Sequence, residues 1–180
     1  MNKKITLTVL GLALVLMATP YMGIVRATQP ISFSFEHWAL GYGEPEYRQA
    51  GNNWISDASS YGVVTGDIVG EYAGNAHWVY HDWVGPYEDP WMLTVENVNG
   101  NGLGTIDATL VMGMEKTGTI KFRFNDVFGS DFAGTWVFFG GTGDLKGLRG
   151  QGTWHVEYII VNGQIVGGYQ VFEGQTHFEP

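Results

Sequence analysis

The chain has 180 residues, no cysteine and a formal net charge of −9. The acidic balance argues against nucleic acid or an anionic lipid surface as partner, because both need a basic face. The missing cysteine excludes a disulfide framework and any thiolate metal or redox site.

Lys3 and Lys4 precede an uncharged apolar run, Ile5 to Ala18, and Val25-Arg26-Ala27 offers a small-residue cleavage site. This pattern predicts a secretory signal over residues 1–27 and a mature domain over 28–180, which is expected to be secreted or cell-surface. The run is shorter than the roughly 20 residues of a membrane span; an uncleaved, tilted anchor reaching Val25 is the alternative. After cleavage no membrane association is expected. The signal holds Lys3, Lys4 and Arg26 but no acid, so residues 28–180 carry −12. A chain of that length is enough for one domain with a real core.

Ile31, Phe33 and Phe35 alternate with Ser32, Ser34 and Glu36, the period of a half-buried strand. Residues 41–53 read as a polar loop punctuated by Gly41, Gly43, Pro45 and Gly51, with Trp54 and Ile55 as a short edge strand or plug. Two strands follow, Tyr61 to Val69 and Glu71 to Trp83, joined near Gly70. The second holds His77 and His81. On a strand they share a face but lie about 13 Å apart, too far to share one ion without help. Surface or hydrogen-bonded histidines are the simpler reading.

Gly85 to Pro90 reads as a loop and Trp91 to Val98 as a strand, closed by a turn at Asn99-Gly100-Asn101-Gly102. Thr105 to Met112 and Gly118 to Phe124 both alternate, the latter with Ile120, Phe122 and Phe124 inward. Asn125 to Asp131 is a loop. Phe132 to Phe139 is aromatic and β-branched, as strands prefer. Thr153 to Val161 and Gln164 to Phe172 flank Asn162-Gly163, the preferred pair for a type I′ hairpin turn. The last strand runs on towards Phe178. Eight to ten short strands without a credible helix indicate an all-β sandwich or barrel.

The triplet Gly-Thr-Trp occurs at 134–136 and again at 152–154, which marks Trp136 and Trp154 as packing anchors. Between them lie Gly140, Gly141, Gly143, Gly147 and Gly150. A dinucleotide fingerprint would need one residue fewer and a following helix, so this is a glycine corner between strands.

That corner, Gly-Gly-Thr-Gly-x-Leu-x-x-x-Arg-Gly from Gly140 to Gly150, resembles the motif of the allene oxide cyclase and dirigent barrels, most of all their uncharacterised prokaryotic members. The resemblance implies a single antiparallel β-barrel of about eight strands, calycin-like, with an apolar lumen. It implies a structural role for Gly141, Thr142, Gly143, Arg149 and Gly150, and makes a homo-oligomer plausible. The plant cyclase's catalytic set has no counterpart here, so no activity carries over.

Residues 28–180 hold 25 aromatics. A barrel of eight strands can fill its interior with them or enclose one small ligand. The leading expectation is therefore a small hydrophobic molecule bound in the lumen by Trp136, Phe138, Trp154, Tyr158 and Phe122, with no cofactor and no metal. One alternative is a cyclase or isomerase-type enzyme acting on a hydrophobic substrate, with Glu157 or Asp107 paired to His155 or His77. Strand alternation puts His155 and Glu157 on the outside, which weakens it. The other is an extracellular structural or glycan-binding module using Trp83, Tyr87 and Trp91. Glu44/Glu46 and Glu88/Asp89 are acidic pairs, but they lack the dense alternating ligands of a calcium loop.

Overall fold

The computed structural model describes residues 29–81, 98–127 and 133–179. These form nine strands: β1 (Ile31–Tyr42), β2 (Glu46–Ala50), β3 (Asn53–Gly66), β4 (Ile68–His81), β5 (Val98–Val111), β6 (Gly118–Val127), β7 (Ala133–Gly141), β8 (Leu148–Val161) and β9 (Gln164–Phe178). Consecutive strands from β3 to β9 pair antiparallel, and β1 closes the ring by pairing with both β9 and β3. The result is a closed eight-stranded antiparallel barrel plus one extra strand, as the strand count and the corner motif led us to expect.

The closure is made by dividing β1. Ile31 to His37 pair with Thr176 to Gln170 of β9, and Phe35 to Tyr42 pair with Gly66 to Ser60 of β3. The extra strand β2 continues along the same edge of β3, Glu46 to Ala50 opposite Asp57 to Asn53, with the Gly43 N–H donating to the Ser59 carbonyl in between. The expected loop over 41–53 is thus mostly strand. Its glycines and proline interrupt a single long edge rather than replace it.

Two other turns fall elsewhere than expected. The β3–β4 turn is at Gly66 and Asp67, where Gly66 has φ 110° and the Asp67 carboxylate accepts from the Ser34 N–H at 2.8 Å. Gly70 lies inside β4 at a bulge against β5. Asn99-Gly100-Asn101-Gly102 is not a turn but the start of β5, paired with β4 and β6. Its glycines point inward: Gly100 is opposite Trp78, and a Cβ on Gly102 would overlap the ring of Phe124. Glycine in a strand here makes room for aromatic rings. Of the strand expected at Trp91 to Val98, only Val98 lies within the described residues.

The two Gly-Thr-Trp triplets explain one another. They pair antiparallel in register, Trp136 opposite Gly152 and Trp154 opposite Gly134. The Trp154 indole occupies the space left by Gly134, where a Cβ would overlap its nitrogen, while Trp136 packs over Gly150. The Trp136 N–H donates to the carbonyls of Thr153 (3.0 Å) and Glu173 (3.1 Å), and the Trp154 N–H to that of Asn125 (3.2 Å).

The barrel has two unlike ends. At one, the Gly140–Gly150 corner folds inward through a 3-10 turn at Gly143–Leu145, with Gly143 at φ 58° and Gly147 at φ 82°. Thr142 exchanges hydrogen bonds with Thr119 of β6, while Leu145 and Leu148 are 0% exposed and plug the lumen. The Arg149 guanidinium meets Glu179 at 2.9 Å, and the buried Thr176 hydroxyl donates to the Arg149 carbonyl. The other end, the mouth, carries the β2–β3 and β8–β9 turns.

Candidate functional site

Inward side chains change character from the corner to the mouth. The middle of the lumen is aromatic. Phe35 and Phe172 stack at 4.6 Å, Phe122 meets Phe172 at 5.3 Å, and Trp154 lies between Phe124 (6.2 Å) and Phe172 (6.0 Å). Phe122, Trp136, Phe138 and Trp154 all point inward and are buried. They are packed on one another, with both indole N–H groups used by backbone carbonyls. Tyr158 is placed differently: it lies on β8 beyond the last β7 partner, opposite Gly168, and is 44% exposed.

Towards the mouth the lining becomes polar. His37, Ser56, Ser60 and Tyr72 are all buried. His37 continues the inward series of Phe33 and Phe35 and is 8% exposed. Its Nδ1 lies 2.7 Å from Oε1 of Gln170, the residue directly opposite on β9. The Tyr72 ring meets the imidazole edge to face at 4.4 Å. An amide oxygen can only accept, so Nδ1 carries the proton and Nε2 presents a lone pair. That Nε2 is buried and has no hydrogen-bond partner among the described residues. A Cβ on Gly62 would come within 2.8 Å of it and overlap the Trp38 carbonyl, so glycine here leaves room for the imidazole. Burial holds the His37 pKa below the ordinary 6.5, outweighing the upward pull of Gln170, and the ring is neutral near pH 7.

Beyond His37 the inner face is lined by half-buried aromatics. Trp54 and Tyr80 are cross-strand partners, Trp78 packs against the core, and Tyr47 approaches Tyr80 at 6.5 Å. Burial pushes Tyr80 up to about 12, with Tyr47 adding to the shift and the Ser56 hydroxyl opposing it. Half-buried aromatics thus stand on the mouth side of one buried, unsatisfied acceptor.

The charged candidates are all on the outer wall. His77 Nδ1 bonds Asp57 at 2.7 Å and His81 Nδ1 bonds Asn53 at 3.0 Å. His155 lies 3.6 Å from Glu157, which also accepts from Tyr169. Asp107 accepts from Thr119 at 2.7 Å. None reaches the lumen, so the acid–base pairs considered from the sequence are not brought together inside it. Glu44 and Glu46 line an outer groove of about 570 Å³ with Asp57 and His77. Among the described residues no cluster of three or more His, Asp or Glu is placed to hold a metal ion. Trp83, Tyr87, Glu88, Asp89, Trp91 and the segment 1–27 lie outside the described residues.

His37 was not singled out from the sequence, although the signal was present: the alternation through Phe33 and Phe35 puts position 37 on the inward face. Gln170, its partner, is 133 residues away, and no local pattern links them.

No protein-family model matches the sequence, and a search of curated proteins finds no significant relative. Among solved structures, the fold is similar to a protein of unknown function from the DUF3224 family of Shewanella oneidensis MR-1. The TM-score is 0.53 at 13% identity, over 84% of this chain and 100% of that chain. At that identity the likeness concerns the fold.

Proposed function

We propose that this protein is an exported barrel that binds a small molecule with a flat apolar body and one hydrogen-bond donor, held at the mouth end of the lumen. The observation that carries the reading is the buried, unpartnered Nε2 of His37. Leaving a buried acceptor unsatisfied costs about 1–3 kcal/mol, which a ligand hydroxyl or N–H would recover. The half-buried aromatics Trp54, Trp78 and Tyr80 on the mouth side suit a planar body. The likeness of the corner motif to allene oxide cyclase and dirigent barrels, whose lumens are apolar, supports the same reading.

Binding is favoured over catalysis by the group behind the histidine. An amide, not a carboxylate, holds Nδ1, so nothing negative stabilises an imidazolium during proton transfer.

Two measurements test this. Native mass spectrometry of the protein purified from its own source should show a stoichiometric extra mass that is lost on denaturation. Titration with 1-naphthol, an aromatic with a single O–H donor, should quench tryptophan emission saturably, and His37→Phe should weaken it about tenfold or more. A clean apo mass together with no saturable naphthol binding would refute the reading.

A further inference from the structure

Asn-Gly occurs at Asn99-Gly100, Asn101-Gly102 and Asn162-Gly163. The pair is chemically special because glycine leaves the nitrogen after the asparagine unshielded by a Cβ, free to attack the side-chain amide carbon. The fold treats the three pairs differently. Gly100 and Gly102 lie within β5, which is paired on both sides: Gly100 is opposite Trp78 and Asp126, and Gly102 is opposite Ala76 and Phe124. In such a strand each N–H is directed at a neighbouring strand, so attack there requires the sheet to open first. Asn162-Gly163 is instead the two-residue connection between β8 and β9. The ladder ends at Val161 opposite Gln164, and both turn residues are exposed. A Cβ placed on Gly163 would meet nothing within 4 Å.

We propose that Asn162 is a modification site, at which the hairpin tip deamidates through a succinimide. The Gly163 N–H gives its proton to hydroxide and the nitrogen bonds to Cγ of Asn162. The Cγ–Nδ2 bond breaks, and the leaving nitrogen takes a proton from water to depart as ammonia. Water then opens the ring. Cleavage of the new Cγ–N bond leaves aspartate. Cleavage of the original peptide C–N bond leaves isoaspartate, in which the main chain runs through Cγ. Water is the only co-reactant.

The product changes the character of the hairpin. No charged residue occurs from Tyr158 through Phe172, and Ile160 and Ile165 beside the tip are each 64% exposed. Deamidation puts a carboxylate into this uncharged, apolar surface. Asp-Gly still suits a type I′ turn, whereas isoaspartate adds a main-chain atom that the two-residue connection has no room for. The site is remote in sequence from His37 and does not depend on the ligand reading.

The test is to hold the full chain folded in mildly alkaline buffer and follow it by peptide mapping with mass spectrometry. Asn162 should convert to a mixture of aspartate and isoaspartate about tenfold or more faster than Asn99 and Asn101. In urea strong enough to unfold the chain, the three rates should converge, because the sheet alone sets them apart. Gly163→Ala should slow conversion at Asn162 by shielding the nitrogen. Equal rates at the three pairs in the folded protein, or an Asn162 that outlasts the other two, would overturn the proposal. Aspartate without isoaspartate would overturn it too, since direct hydrolysis bypasses the ring.

Discussion

Trp154 stands directly opposite Gly134 across the β7–β8 pair, and its indole N–H passes that glycine to reach the Asn125 carbonyl on β6, 3.2 Å away. Three strands are tied by one side chain because one position lacks a Cβ. In Gly134→Ala the methyl would overlap the Asn125 carbonyl and crowd the indole nitrogen, and we expect a loss of about 3 kcal/mol or more. Trp154→Phe keeps most of the packing but removes this hydrogen bond, at a cost of about 0.5–1.5 kcal/mol. Urea denaturation followed by circular dichroism separates the two.

The stacked pair Phe35 and Phe172 lies at the centre of the lumen. Phe172→Ala should destabilise by about 3–5 kcal/mol, since the ring is enclosed and the barrel wall is hydrogen-bonded all round, which limits collapse into the cavity. On the outer face of β3, Tyr61→Ala should stay within about 0.5 kcal/mol. Equal effects from the two would mean that the lumen is not the core.

His37 makes stability depend on pH in a defined direction. Its folded pKa lies below the unfolded value of 6.5, so the unfolded chain binds the proton more readily. Above pH 6.5 both states are neutral and the group has no effect. As the pH falls below 6.5, stability declines by up to about 1.4 kcal/mol per unit until the folded pKa is reached. Denaturation midpoints at pH 7.5 and 5.5 should show this slope in the native protein and its loss in His37→Gln.

At the corner, the motif's most exposed contact should matter least. Arg149 and Glu179 form an ion pair with both side chains substantially exposed, so Arg149→Ala should cost no more than about 1 kcal/mol. Leu145, fully buried under the same corner, should cost about 2–5 kcal/mol on change to Ala. Thermal melts of the two variants would rank them.

Where neighbours along the chain decide a structure, it could be read in advance. The β8–β9 hairpin is the clearest case: Asn162 and Gly163 adopt φ 52° and 79°, the backbone that this pair favours. β6 followed from its alternation as far as Phe124, while Asn125 to Val127, expected as the start of a loop, continue the strand because β7 pairs with them. The errors share one cause. Gly70, Gly100 and Gly102 look like turn residues, yet they sit inside strands because a bulge or an aromatic ring on another strand needs the room. β2 looks like loop because its order comes from the edge of β3. The inward place of His37 was legible, but its meaning depended on Gln170 and Gly62, which only closure of the barrel brings near.

The division of β1 between β9 and β3 also governs how the chain reaches its fold. The ring closes only when Ile31 finds Thr176, so the seam joins the first described strand to the last. Until β9 is available, the rest is an open sheet with two unpaired edges and an uncovered aromatic face. Contacts this distant in sequence slow folding to milliseconds or longer, and the open sheet is the species most prone to aggregate. Lesions in β9 should therefore show first as lost soluble yield and only second as a lower melting temperature.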